Sequence, residues 1–393
     1  MNALDPAAIR PFLDDHHVEL ADGVRAFARE RIAPLPEPAD DDAARRQARD
    51  VLALLGEAGW ARHAVAEERG GAWDGPDLVA CCLIREALAH ASPLADAVFA
   101  LQCLGSMPVA LAGSEALRRR WLPAVAAGRA MAAFAMTEAE AGSDVGAIAT
   151  RATRDGDGYR LDGAKVLISN AGLADLYVVF ASTDPAAGKR GLSCFLVPAD
   201  APGLRFAGAQ VLAAPHPLGE LAFEGCRVGA AARLGEEGEG FRIGMATLDR
   251  LRPTVAAAAC GMAARALEEA TSHALSRRQF SRALGDLQLV QARLAEMATE
   301  LDAARLLTYR AAHAAARGRV VTRWSAMAKA FATEAAQRVV DGAVQILGGR
   351  GLLAESPVDR LYRSVRALRI YEGTTEIQRL VVARDLLRET AAP

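Results

Sequence analysis

Aromatic residues make up only 5% of this 393-residue chain, and neither charge sign dominates, with 46 Lys and Arg against 48 Asp and Glu. A nucleic-acid binder carries a clear basic surplus, so that class is excluded. The six cysteines, Cys81, Cys82, Cys103, Cys194, Cys226 and Cys260, include no CxxC pair and no zinc spacing. They read as reduced, buried thiols of a cytoplasmic protein. The seven histidines show no HExxH or comparable ligand pair, so no metal is expected. Uninterrupted apolar runs such as Val255 to Ala264 are far shorter than the ~20 residues of a membrane span. No membrane association is expected. The N-terminus has no basic stretch leading into an apolar one, so no secretory signal is read.

What is present is an apolar fraction of 52%, drawn largely from Ala, Leu and Val, beside 24% charged residues. That balance excludes disorder and biases the chain toward helix. The length exceeds one small core and fits two or three domains. Residues 1–130 read as a helical domain, with apolar positions at helical spacing over Ala44–Gly56 and Leu78–Ala91. The run Arg118, Arg119, Arg120 reads as a solvated helix face. Residues 131–235 read as a small β-domain. Tyr159 to Leu161 and Lys165 to Ser169 predict a hairpin around Asp162-Gly163, and Leu176–Ala181 and Leu192–Val197 predict strands. Residues 236–393 read as a bundle of long antiparallel helices over Gly240–Ser276, Leu287–Arg317 and Val320–Leu347, with a last helix from Thr374 to Arg388.

Four segments can carry chemistry, and each also has a plain structural reading. The loop from Met136 and Thr137 to Gly142, Ser143 and Asp144 offers hydroxyls and small residues to a polar ring or phosphate. It could equally be an ordinary Gly-Ser-Asp loop. Arg277 near Phe280, with Gln288 beyond, could pair with a phosphate and stack a base, or could be a solvated helix end. Gln345, Gly348 and Gly349 allow close backbone approach after a helix, or simply cap it. This segment is not GxGxxG and follows no strand, which excludes a nicotinamide Rossmann site. In Tyr371-Glu372-Gly373-Thr374-Thr375-Glu376, a carboxylate beside glycine is either solvated or, in an apolar pocket, a general base.

Together, in this order, the segments resemble the acyl-CoA dehydrogenase family over about Ala80 to Leu387. The resemblance implies a mainly α fold with a central β-domain: an N-terminal helical domain, a small β-sandwich or barrel and a C-terminal antiparallel bundle, assembled as a homotetramer. It implies FAD, an acyl-CoA substrate that loses hydrogens from its α and β carbons, and an electron-transfer flavoprotein as acceptor. It places Glu372 as the α-proton base. The Glu372 N–H, with a flavin ribityl hydroxyl, would hold the thioester carbonyl. It places Phe134, Met136, Thr137, Gly142, Ser143, Ser169, Thr374 and Glu376 along the cofactor. Arg277, Phe280, Gln288, Gln345, Gly348 and Gly349 would reach the FAD of a neighbouring copy. Asp249, Arg252, Ser143, Tyr371 and Gly373 would face substrate, with Gly373 leaving room for the thioester and Arg252 on its nucleotide side.

Two departures stand out. The family's Trp-Ile-Thr-Asn segment reads Leu167-Ile168-Ser169-Asn170, which implies a flavin face more open to oxygen. A Gly-x-Arg-x-Ser loop is replaced by Ala214-Pro215-His216-Pro217, where His216 reads as a loop residue. Two alternatives therefore stay open beside acyl-CoA dehydrogenation, a carrier-protein thioester as substrate and an oxygen-using oxidase, while the retained base and FAD positions argue against a non-enzymatic relative of the fold. Glu372 argues against a flavin monooxygenase, which needs no α-base.

Overall fold

The computed structural model describes residues 4–66, 69–72 and 77–391. Helices α1 (Asp15–Phe27), α2 (Asp41–Glu57), α3 (Leu78–Ala91), α4 (Pro93–Ala112) and α5 (Glu115–Ala126) come first. Eight strands follow: β1 (Ala132–Ala135), β2 (Arg151–Asp155), β3 (Gly158–Ser169), β4 (Leu176–Ser182), β5 (Leu192–Pro198), β6 (Leu204–Ala209), β7 (Leu218–Gly229) and β8 (Arg233–Leu234). Helices α6 (Gly240–Ser276), α7 (Gln288–Ala316), α8 (Thr322–Leu347), α9 (Pro357–Leu368) and α10 (Thr375–Ala391) complete the chain. A two-strand hairpin, β9 (Arg278–Gln279) and β10 (Arg282–Ala283), links α6 to α7. The expected order of helices, sheet and helix bundle is what forms. Contacts divide the chain into two compact units.

The first unit comprises Met1–Leu35, Leu78–Asp96 and Asp249–Pro393. Its core is built largely of alanine and valine on α6, α7 and α8, including Ala256, Ala259, Ala335, Val339 and Ala343. Small side chains let helix backbones approach closely. At Gly261 a Cβ would lie 2.1 Å from the Glu86 carbonyl oxygen, so α6 meets α3 only because that position is glycine. This is the structural use of a composition poor in aromatics. The helix ends follow local rules: α8 stops at Gly348, whose φ of +60° suits glycine, and α9 opens on Pro357.

The second unit comprises Pro36–Asp77 and Ala97–Leu248. Its sheet runs in the order β6-β7-β3-β2-β4-β5-β8, with β1 parallel to β4. The only ladder contact between β2 and β4 is the pair Arg151 and Ser182, so the sheet folds there into two layers. Tyr159, Leu161 and Phe223 from one layer pack with Val179, Phe195 and Val197 from the other in one buried cluster.

The hairpin expected at Asp162-Gly163 does not form. β3 is continuous through it, and the tight turn lies upstream at Gly156, between β2 and β3. Asp162 accepts a hydrogen bond from the Gly225 N–H at 2.7 Å. Gly163 marks a bulge, with φ +147° and a Cβ position 2.6 Å from the Thr150 hydroxyl. Glycine there answers to crowding and bulge geometry, not to a turn.

α4 was passed over by the reading of apolar runs. By length and composition it could cross a membrane, but it is mostly buried in the fold. The polar residues that interrupt it bond inward. Gln102 donates to the Ala130 carbonyl at 2.7 Å and accepts from the Ala132 N–H at 2.9 Å. It is a core helix by those contacts. All six cysteines are buried and none forms a disulfide.

Candidate active site

Glu372 lies in the short link between α9 and α10, and that link is held from several sides. The Glu334 carboxylate on α8 accepts from Arg369 Nε at 2.8 Å and from the Thr375 hydroxyl at 2.7 Å. Lys329 Nζ donates to the Gly373 carbonyl at 2.6 Å. The Gln378 amide donates to the carbonyls of Glu372 and Gly373 at 3.2 and 3.0 Å. The Thr374 hydroxyl accepts from the Ile377 N–H at 3.4 Å and caps α10. Between these ties the backbone is forced into the left-handed region, with φ +54° at Glu372 and +92° at Gly373. A glutamate there is strained by about 1–3 kcal/mol, a pattern that clusters at functional sites.

Gly373 is needed for that backbone. Its Cβ position lies 2.5 Å from Gln378 Nε2, so the glycine makes room for a side-chain amide of its own chain. Gly373→Ala is expected to lower stability by about 1–3 kcal/mol and to displace Glu372. Thermal denaturation beside flavin reduction checks this; unchanged values in both would contradict it.

The Glu372 carboxylate is not tied up. Its Oε2 is buried with no hydrogen-bond partner, and it makes no ion pair among the described residues. Burial pushes its pKa above the usual carboxylate value, against the opposing pull of Arg85, Lys329 and Arg252. Its N–H also finds no acceptor among the described residues. Four residues on after Glu372, Glu376 is the opposite case. It is exposed, and hydrogen bonds to its own N–H and the Thr374 hydroxyl hold its carboxyl below the usual range. Glu376 is an exposed carboxylate in the first turn of α10, whereas Glu372 keeps a buried, unbonded oxygen and a raised pKa.

Around Glu372 stand Tyr371, Arg252 and Asp249, named from the sequence, and Arg85, which the sequence reading missed. Arg85 is 2% exposed and grips Asp96 with two bonds, at 2.7 and 2.9 Å, and donates to the Thr254 hydroxyl at 2.9 Å. Tyr371 is 39% exposed, yet desolvation of its hydroxyl pushes its pKa well up. Arg252 does not lie free for a nucleotide. It is 4% exposed, pairs with Asp249 and reaches toward the Glu372 carbonyl at 3.5 Å. Asp249 also accepts from the Thr322 hydroxyl at 2.9 Å. Both residues are built into the support of the Glu372 turn.

In the second unit, the loop after β1 is anchored by Glu138, also missed. Its carboxylate accepts from the N–H groups of Ala149 and Thr150 and from Lys165 Nζ at 2.7 Å. Lys165, fully buried, also donates to the Met136 carbonyl at 3.0 Å. Gly142 and Ser143 are left exposed, and a Cβ on Gly142 would meet nothing within 4 Å. The hydroxyls of Thr137 and Ser143 make no hydrogen bond among the described residues. Phe134 packs on Phe180 with ring centroids 4.9 Å apart, while Met136 is 7% exposed and lies over Gly244. His216 lies in the loop before β7, and its Nε2 bonds the Ser169 hydroxyl at 2.7 Å. Burial lowers its pKa to about 4, which leaves it neutral at pH 7. Leu167 is 53% exposed in a left-handed backbone.

A third group lies on the surface of the first unit. Phe280 and Ser281 form the β9–β10 turn, both with positive φ, and Phe280 is 84% exposed. Arg277, Gln288, Gln345, Gly348 and Gly349 are exposed too, and the three long side chains make no hydrogen bond or ion pair among the described residues. A Cβ would meet nothing within 4 Å at Gly348 or Gly349, so only the positive φ of Gly348 calls for glycine. One cluster lies outside every motif: ligand atoms of Asp14, His16 and His17 come within 4.8 Å of one another. Asp14 is also paired with Arg317 at 3.4 Å.

The described residues form a helical domain, a small two-layer sheet and a helix bundle in which Glu372 keeps a buried, unbonded Oε2. Sequence models of the acyl-CoA dehydrogenase N-terminal, middle and C-terminal domains match residues 14–129, 133–226 and 238–387. The chain belongs to the acyl-CoA dehydrogenase family, oxidoreductases that act on a CH–CH bond with FAD. It is 40% identical over 379 residues to the probable acyl-CoA dehydrogenase FadE25 of Mycobacterium tuberculosis, covering 96% of each. The structure of butyryl-CoA dehydrogenase from Megasphaera elsdenii matches with a TM-score of 0.90 at 34% identity, over 96% of this chain and 99% of that one. A chain from the structure of the electron transferring flavoprotein of Acidaminococcus fermentans matches with a TM-score of 0.91 at 36% identity, over 96% and 99%.

Proposed function

We propose that the protein dehydrogenates an acyl-CoA to the enoyl-CoA, with Glu372 as the α-proton base, and passes the electrons to an electron-transfer flavoprotein. The observation that carries this reading is the buried, partnerless Oε2 of Glu372 on a strained turn, beside an exposed Glu376 whose carboxyl is held below the usual range. The residues present also fit FAD. Thr137 and Ser143 leave hydroxyls unbonded, Gly142 leaves open space, and Phe134 and Ser169 flank the same sheet. Thr374 and Glu376 open α10, where the helix N-terminus favours anionic groups. When bound, FAD supplies the acceptor for the β-hydrogen and its electron pair.

The chain's own residues do the rest. A thioester α-proton is far less acidic than a carboxylic acid at its ordinary pKa of about 4.3, so a raised Glu372 pKa narrows the gap. The Glu372 N–H is free to donate to the thioester carbonyl, a contact worth about 2.7–4 kcal/mol as negative charge develops there. Tyr371 and Gly373 border the same turn. Because Arg252 is held by Asp249, it does not single out CoA over another pantetheine carrier. The test is anaerobic flavin bleaching with a panel of acyl-CoAs and the matching acyl-pantetheines. Bleaching by at least one acyl-CoA is expected. Protein that dithionite bleaches but no thioester does would contradict the reading.

We further propose a homotetramer in which Arg277, Phe280, Gln288, Gln345, Gly348 and Gly349 contact the FAD of a neighbouring copy. Exposure of a strained Phe280 and an unpaired Arg277 supports this. Arg277→Ala removes a charge-assisted phosphate contact and is expected to weaken FAD retention by roughly ten- to hundredfold. Equilibrium dialysis checks it, and an FAD-loaded monomer in light scattering would contradict it. Buried cysteines that form no disulfide fit a reducing compartment, and we place the protein in the cytoplasm.

A further inference from the structure

Three cations face Glu372, and two are already neutralised. Arg85 on α3 is paired with Asp96, and Arg252 on α6 with Asp249. Lys329 on α8 has no carboxylate partner of its own among the described residues. It is fully buried, and its single hydrogen bond, at 2.6 Å, goes to the carbonyl of Gly373, the residue after the base. It stands in a buried polar stripe, Ser325, Lys329 and Thr333, one helical turn apart on a face whose other buried residues are mostly alanine and valine. An unpaired buried ammonium is costly, so its retention needs a compensating charge.

We propose that Lys329 is a positioning residue for Glu372: it pins the left-handed turn through the Gly373 carbonyl and sets a fixed positive charge behind the carboxylate. The proposal rests on the reading of Glu372 as the base, but the electrostatic coupling stands without it. The groups that face Glu372 are Arg85, Asp96, Arg252, Lys329 and Tyr371; those that face Lys329 are Glu372, Arg252, Glu334 and Glu376. Burial lowers the Lys329 pKa to about 8, partly offset by Glu372. Below pH 8 the ammonium is therefore charged and favours ionised Glu372. Removing it must raise the Glu372 pKa.

Lys329→Gln keeps a donor for the Gly373 carbonyl and removes the charge; Lys329→Met removes both. The FAD-loaded enzyme without substrate is titrated by infrared spectroscopy, reading the protonated-carboxyl band that Glu372→Gln abolishes. Both variants are expected to raise that titration by about one to three pH units. A purely structural lysine would lower thermal stability and leave the titration in place, and an unmoved titration in folded Lys329→Gln overturns the proposal. Because no substrate is present, the result stands apart from dehydrogenation. An active Glu372→Gln enzyme would overturn the base assignment, while a shifted titration would still confirm the coupling.

Discussion

Lys165→Met is expected to destabilise the protein by about 3–5 kcal/mol, the cost of breaking a buried ion pair from one side. The ammonium is fully buried and sits 2.7 Å from Glu138. Without it, the Glu138 carboxylate remains inside the sheet unit with only the Ala149 and Thr150 N–H groups for company. The loop carrying Thr137, Gly142 and Ser143 loses its anchor at the Met136 carbonyl, so FAD retention falls with stability. The double variant Glu138→Gln/Lys165→Met should be less damaged than the two single losses added together, because the residues interact directly. Chemical denaturation of the four proteins checks this, and additive losses would contradict it. The pair also has a pH signature. Lys165 and two N–H donors hold the Glu138 carboxyl below its usual range, although burial opposes them. Its contribution is present above the ordinary glutamate pKa and is lost as pH falls through the lowered folded value.

Glu372→Gln is expected to bind FAD and an acyl thioester and to slow flavin reduction by about 10²–10⁴-fold. Glutamine keeps the size and hydrogen-bonding capacity of the side chain but cannot take the α-proton. Wild-type reduction should rise with pH as Glu372 ionises, with a midpoint above the ordinary carboxylate value because burial disfavours the charge. Stability moves the other way. A carboxyl whose folded pKa is raised contributes stability below its unfolded pKa and loses it as pH rises through the folded value. Glu372→Gln should therefore match wild type in acid and be the more stable protein at neutral pH. Paired thermal melts at the two pH values check the sign. Equal stability at neutral pH would mean Glu372 is not desolvated.

Helix positions were legible because apolar spacing on α2 and α8 matches the face each buries, and because α3 and the middle of α6 are long apolar stretches buried on all sides. Strands β4 and β5 were legible as short apolar runs, being buried throughout or nearly so. Asp162-Gly163 misled because a D-G pair signals a turn, whereas this glycine answers to Thr150, a contact outside the strand. The buried charges were hidden for the same reason. Arg85 meets Asp96 across two helices, and Glu138 meets Lys165 across a loop, so neither pair leaves a local pattern. Lys329 did leave one, as a lysine among alanines on an apolar helix face. Glu372 could be picked out only through resemblance, since its burial and its left-handed backbone exist only once α8 and α10 have packed.

The account turns on which carboxylate takes the proton. Anaerobic flavin reduction by one bleaching acyl-CoA, followed in wild type, Glu372→Gln and Glu376→Gln at equal FAD loading, tests it most directly. Reduction is expected to collapse in Glu372→Gln and to stay within a few-fold of wild type in Glu376→Gln, whose main loss should be FAD affinity. A Glu372→Gln enzyme that reduces its flavin at the wild-type rate, while Glu376→Gln does not, would contradict the assignment.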